Sequence, residues 1–290
     1  KTAPLLYRDL HASLNRTVAR VGAQRCWATT AEAAQPSTPT FRGYAELLYS
    51  GALTAEQIAD IYAAASSSKC GPRLLVLGSP ALRGAALSTP AAAGLAYGLL
   101  QADMADEFLL HYLATSAHAY TRGTHTAPES SDVTDRDTPA TAYTAAGEVL
   151  APTYLKWMLC FEEPETRTLW LAKATPRGWL AAGEAPIVAA NLTTRYGRVS
   201  YTITAPAATE GGNYTVRANV TLPPSFATSP PDGGVRLRLR APSGRLSSVS
   251  VGGASWAAFS AAEETVDVPA AKLTAALLRD GLPRIVATFA

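Results

Sequence analysis

The sequence predicts an α+β multidomain chain, with a helical portion over residues 1–164 and an antiparallel β-sandwich over 165–290. Three observations carry this. Before about residue 165, apolar residues recur at three- and four-residue steps. After it they alternate with polar ones, the period of a half-buried strand. Pro-Pro and Gly-Gly pairs then punctuate the second half at short intervals, as turns between short strands do.

The helical elements follow in order. Leu5, Leu6, Leu10, Leu14, Val18 and Val21 mark a first helix, and Tyr44, Leu47 and Leu48 a short second one. Thr54 followed by Gln57 is a capping box, leading into Ile58, Ile61 and Tyr62. Residues 90–101 read as an Ala/Gly-rich helix whose small residues allow close packing against a neighbour. A longer helix is expected over 103–120, with Phe108, Leu109, Tyr112 and Leu113 inward. Residues 121–146 read as a long polar loop, and 148–161 as a return to helix with Pro152 in its first turn. These helices number about half of what a closed ring of helix pairs needs. Further chains or a missing N-terminal portion are then expected to cover the exposed apolar face of the helical domain.

The strands come next. From Tyr214 to Leu222 apolar residues alternate with Thr215, Arg217, Asn219 and Thr221, so Asn213 and Asn219 fall on one polar face. Val235, Leu237 and Leu239 alternate with Arg236, Arg238 and Arg240, which reads as a solvated strand face. Val249 and Val251, Val266 and Val268, and residues 285–289 complete a set of short strands of the sandwich type.

All four asparagines stand in glycosylation sequons, at Asn15, Asn191, Asn213 and Asn219. With Ser plus Thr at 51 of 290 residues, chance places four of four in sequons roughly once in a thousand sequences. The pattern predicts an extracellular or cell-surface protein carrying N-linked sugar. The chain starts at Lys1 without a signal peptide, so a mature product, a processed piece or part of something longer is expected. Cys26 and Cys70 lie in loop-like contexts and can pair in an oxidising compartment; three unpaired thiols is the alternative. Cys160, in an apolar run, reads as a buried free thiol.

Several function classes drop out. A net charge of +2 without a Lys/Arg run gives no case for nucleic acid. No apolar stretch has the length of a membrane span. No Gly-rich phosphate loop follows a strand, and Gly-x-Ser-x-Gly is absent. His11, His111, His118 and His125 do not form a metal pair at helical i, i+4 spacing. No cofactor and no metal are expected.

The richest stretch is 122–180. It contains Arg122-Gly-Thr-His-Thr-Ala-Pro-Glu129, Leu155-Lys-Trp-Met-Leu-Cys-Phe-Glu162 and Thr168-Leu-Trp-Leu-Ala-Lys-Ala-Thr-Pro-Arg-Gly-Trp179, with Thr194-Arg-Tyr-Gly-Arg-Val-Ser200 farther on. Together with Tyr49-Ser-Gly-Ala-Leu53 and Ser248-Val-Ser-Val-Gly-Gly-Ala-Ser-Trp256, these resemble the carboxy-terminal half of secreted six-hairpin (α/α)6 glycosidase-like proteins with a C-terminal β-sandwich. The resemblance implies a partial (α/α) helical-hairpin toroid ahead of the sandwich. It also implies a carbohydrate partner, bound in loops at one mouth of the ring.

The 122–143 segment has the character of such a loop. Glycoside hydrolysis uses two carboxyl groups flanking the scissile bond. Glu129, held after Pro128, is the candidate acid, and Asp132, Asp135 or Asp137 the partner carboxylate. Arg122 and His125 can hydrogen-bond sugar hydroxyls, and Tyr143 can stack on a ring. The same residues also suit structural roles: Glu129 as a turn cap, Arg122 as a brace, the aspartates as solvated charges. Thr175-Pro176 reads as a helix start and Gly183 as its stop, with Trp170 and Trp179 packing at a domain boundary. A catalytic carbohydrate-active protein and a structural glycoprotein (a cell-wall, surface-coat or filament subunit) that retains the architecture remain the two functional expectations.

Overall fold

A computed structural model describes residues 5, 8–13, 41–68, 73–83, 86–118, 120, 126–133, 144–205, 214–278 and 282–290. The chain divides into two compact units, Lys1–Leu155 and Lys156–Ala290. The division falls ahead of the 164/165 boundary expected from the change of period. The result is a mixed α and β structure with largely antiparallel sheets.

Besides helical residues 8–13, the first unit has α1 (Arg42–Tyr49), α2 (Ala55–Ser66), α3 (Thr89–Gln101), α4 (Ala105–His118) and α5 (Ala145–Glu148), and α6 (Leu150–Leu159) begins in it. The Thr54 capping box forms in full. Thr54 Oγ1 accepts from Gln57 N–H at 3.2 Å and Gln57 Oε1 accepts from Thr54 N–H at 3.0 Å. Ile58 and Ile61 then bury their side chains completely. The small residues of α3 pack as expected. A Cβ on Gly94 would overlap the Ala45 carbonyl oxygen of α1, and one on Gly98 would lie 2.8 Å from the Leu48 side chain.

Two expectations for this unit are corrected. Helix α4 turns Phe108, His111, Ala114 and Thr115 inward, while Leu113 is 59% exposed. The inward face is rotated because Ser79 and the Ala92 carbonyl give His111 its hydrogen bonds, so a polar residue can take a core position. Four short strands also form, paired in the order β1-β2-β3-β4: β1 (Leu75–Val76), β2 (Ser79–Arg83) and β3 (Ala86–Ser88) lie in a stretch for which the sequence predicts no element, and β4 (Ser130–Asp132) lies within the expected 121–146 loop. Val76 pairs with Ser79, so Leu77 and Gly78 form a two-residue hairpin turn with φ of 51° and 73°, the geometry of a type I′ turn.

In the second unit, one sheet has the order β13-β14-β10-β6-β5. These strands are β5 (Cys160–Glu162), β6 (Leu169–Leu171), β10 (Val235–Arg238), β13 (Phe259–Ser260) and β14 (Thr265–Val268). The other has the order β12-β11-β15-β9-β8-β7. Its strands are β7 (Ile187–Thr194), β8 (Gly197–Thr204), β9 (Tyr214–Thr221), β11 (Leu246–Val251), β12 (Ala254–Ser255) and β15 (Leu282–Phe289). A short helix, α7 (Ala275–Leu278), precedes β15. Residues of both sheets share one buried cluster, including Leu169, Leu237, Val266, Val216, Ile285 and Phe289. Strand β9 alternates buried and accessible residues along its whole length, as its sequence predicts.

Four details differ from the expectations. The β6/β10 pairing is parallel, so the five-stranded sheet is not wholly antiparallel. Helix α6 stops at Leu159, and Cys160 and Phe161 open a strand. The expected helix after Thr175 is a single 3-10 turn, Arg177–Leu180, with Trp179 38% exposed. Finally, Arg238 and Arg240 are buried rather than solvated. The segment after β6 makes that possible by offering backbone acceptors. Arg238 donates to the carbonyls of Lys173 at 3.1 Å and Glu263 at 3.0 Å, and Arg240 to that of Thr175 at 3.4 Å. Arg236 forks onto Asp267, its partner in register on β14, at 2.6 and 3.0 Å. The Trp170 ring lies among these cations, with Lys173 Nζ 3.4 Å and the Arg236 and Arg238 guanidinium carbons 4.8 and 4.9 Å from its centroid. Delocalised guanidinium groups are suited to such faces.

Candidate functional site

The candidate carbohydrate site is built on the stretch leading into β4. Ala127 and Pro128 are buried. Ala127 N–H donates to Glu148 Oε1 at 2.7 Å, and Thr144 N–H donates to the Ala127 carbonyl at 2.9 Å. Ala127 is therefore tied to both ends of α5, to Thr144 just before it and to Glu148 at its last residue. Glu129 follows directly, exposed at the bend before β4. Within β4, Ser130 and Ser131 are buried. Asp132 is partly buried and pairs in register with Ala86 of β3. The structure thus sets both candidate carboxylates against the strand edge of the four-stranded sheet, with Glu129 in contact with water. Arg122, His125, Asp135, Asp137 and Tyr143 lie outside the described residues. The part played by Glu148 was not legible in the sequence, where it simply opens a helical stretch.

A second group has catalytic residue types without catalytic access. Ser79 Oγ lies 2.8 Å from His111 Nδ1 and 3.3 Å from Thr115 Oγ1. His111 Nε2 lies 3.1 Å from the Ala92 carbonyl. A carbonyl only accepts, so Nε2 carries the proton and Nδ1 accepts from the Ser79 hydroxyl. Burial pushes the imidazole down to about 4, against the weaker opposing effect of the Ala92 hydrogen bond. Ser79 and His111 are both buried, so no substrate reaches the pair and its work is to hold α4 against β2 and α3.

Cys160 is a free buried thiol. Loss of hydration pushes it up to about 12, so the thiolate is not populated at neutral pH. Cys26 and Cys70 lie outside the described residues. Among the described residues no group of three or more His, Cys, Asp or Glu could hold a metal ion, and no described helix is long and apolar enough to cross a membrane.

Two of the sequon asparagines are described, and both are exposed on the six-stranded sheet. Asn191 sits at the irregularity between Ala189 and Leu192 of β7, with a φ of 53° and its N–H donated to Ser200 Oγ at 2.9 Å. Asn219 sits mid-strand on β9, with Thr221 exposed on the same face two residues on. Asn15 and Asn213 lie outside the described residues. Asn219 also lines an open groove of 1310 Å³, together with Trp256, Lys272, Leu277, Arg284 and Val286. Trp256 is fixed there by its Nε1–H, which donates to the Asp267 carbonyl at 2.9 Å. No family model matches this chain, and no curated protein matches it.

Proposed function

We propose that this chain is an extracellular glycoprotein with a glycoside-hydrolase-like architecture, a partial (α/α) helical-hairpin toroid followed by a β-sandwich, that acts on or binds polysaccharide. The observation that carries this reading is Glu129: a carboxylate open to water, immediately after a loop base tied down by Glu148 and Thr144. A group meant to meet a ligand needs that combination of access and support. The contact between the consecutive helices α3 and α4, separated only by residues 102–104, supports the hairpin architecture. The shared core of the two sheets supports the sandwich, and the exposed sequons support the extracellular location. In this reading Glu129 is the acid and Asp132 the second carboxylate, with Arg122 and His125 contacting hydroxyls and Tyr143 stacking on a ring. The test is release of reducing sugar from a panel of polysaccharides by the full chain. Release abolished by Glu129→Gln, with an unchanged circular dichroism spectrum, supports the reading; release that survives the substitution removes Glu129 from it.

The second reading, a non-catalytic structural glycoprotein, is favoured by the apolar residues that the first unit leaves in water. Leu77 and Leu110 are each 48% exposed and Leu113 is 59% exposed, and Gly78 sits against the Leu110 side chain. Such a surface suits burial against another subunit. Analytical ultracentrifugation decides: a subunit of a coat or filament associates with rising concentration, and a strictly monomeric particle ends this reading.

A further inference from the structure

We infer that the groove beside Asn219 is the seat of the chain's own N-linked sugar: the first N-acetylglucosamine units attached to Asn219 lie along Trp256 and close the groove to other ligands. The inference rests on the glycoprotein reading above and adds where one sugar goes and what it covers.

Asn219 itself lines the groove, so a sugar on its Nδ2 begins inside it. Binding is then intramolecular, and no translational freedom is lost. Attachment is the secretory pathway's own step. The amide nitrogen of Asn219 displaces a lipid-linked diphosphate from C1 of the donor sugar. The new N–C bond forms as the C1–O bond breaks, the diphosphate leaves with the electron pair, and the amide gives up one proton. The strand beneath is held on both sides, by β8 and β15, so the starting point is fixed.

A pyranose ring has an apolar C–H face and a polar rim, and N-acetylglucosamine adds an acetamide with a methyl group and a carbonyl. The groove offers a matching set: the Trp256 indole for a ring face, Leu277 and Val286 for methyl and C–H groups, Arg284 and Lys272 as donors to oxygen. No acidic residue is among the described lining residues. At 1310 Å³ the groove exceeds the roughly 300–1,000 Å³ of drug-sized pockets, which leaves room for more than one ring. Its mouth is open at the β11–β12 turn. Gly252 and Gly253 have φ of 62° and 82°, and a Cβ on Gly253 would meet nothing within 4 Å. Asn191 is the internal contrast, a sequon asparagine that does not line the groove.

The experiment uses the full chain secreted from a eukaryotic host. Glycopeptide mass spectrometry reads occupancy at Asn219, and hydrogen–deuterium exchange is measured before and after enzymatic removal of the N-linked sugars. With sugar present, amides of 250–257 and 282–287 are expected to exchange at least about threefold more slowly than without it. Trp256→Ala is expected to abolish that difference while Asn219 stays occupied, and Asn191→Gln to leave it intact. An occupied Asn219 with no change in exchange on deglycosylation overturns the seat and leaves the glycoprotein reading standing. An unoccupied Asn219 overturns both at this position.

Discussion

Acidification is expected to weaken the first unit through one residue, His111. In the folded chain its imidazole is buried and pushed down to about 4; in the unfolded chain it returns to about 6.5. Above the unfolded value both states hold a neutral ring and no penalty exists. As pH falls past 6.5 the unfolded state binds a proton that the folded state refuses, so stability is lost until the folded value is reached. The difference of about 2.5 units corresponds to roughly 3 kcal/mol, all of it lost by about pH 4. Other groups also titrate in this range, so the measurement is a difference. Urea unfolding of the wild type and of His111→Gln is followed from pH 7 to pH 4. The glutamine amide keeps an acceptor for Ser79 and a donor for the Ala92 carbonyl but cannot be protonated. The wild type is expected to lose roughly 3 kcal/mol more than the variant over this interval. Parallel pH profiles for the two proteins would refute the reasoning, because His111 would then titrate alike in both states.

Gly94→Ala is expected to destabilise by about 1–3 kcal/mol although alanine is the better helix former, because the new methyl group meets the Ala45 backbone carbonyl of α1, which no rotamer change can move; thermal unfolding checks it. Leu77→Asp is expected to stabilise by roughly 1 kcal/mol, since leucine at a φ of 51° carries a strain that Asp-Gly in a type I′ turn avoids. An unchanged or lower melting temperature would go against it. Cys160, buried and with its thiol pushed up to about 12, is expected to stay unmodified by iodoacetamide in the native chain and to react after unfolding, as peptide mass mapping reads directly.

The fold was legible where one face is buried and local chemistry agrees with it. Strand β9 and helix α2 are of this kind: alternation marks the first, and Thr54 with Gln57 marks the start of the second. The small sheet of the first unit was not legible, for two reasons. Its strands are two to five residues long, too short to establish a period. Its tightest turn is Leu77-Gly78, where leucine hides a type I′ geometry that Asn-Gly or Asp-Gly would have announced. The same limit shortened the helix expected after Thr175: Pro176 announces a start but does not say how many turns follow.

Candidate site residues were legible as chemical types and not as environments. Alternation reads β9 and β10 alike, yet the outer residues of β9 meet water while Arg238 and Arg240 are buried. What separates them is the segment after β6, whose carbonyls at Lys173 and Thr175 accept from the guanidinium groups. No pattern within β10 contains that information. Ser79 and His111 make the same point from the other side. Their spacing of 32 residues carries no motif, their hydrogen bond has the form of a nucleophile–base pair, and burial still denies them a substrate. Glu129 has the opposite profile, a carboxylate exposed to water at the bend before β4. Access and support are properties of the packed chain, so the carboxylate on the tied loop outranks the better-formed pair in the core. Any substrate-dependent effect of a Ser79→Ala substitution is therefore expected to track lost stability, and one of Glu129→Gln to appear without it.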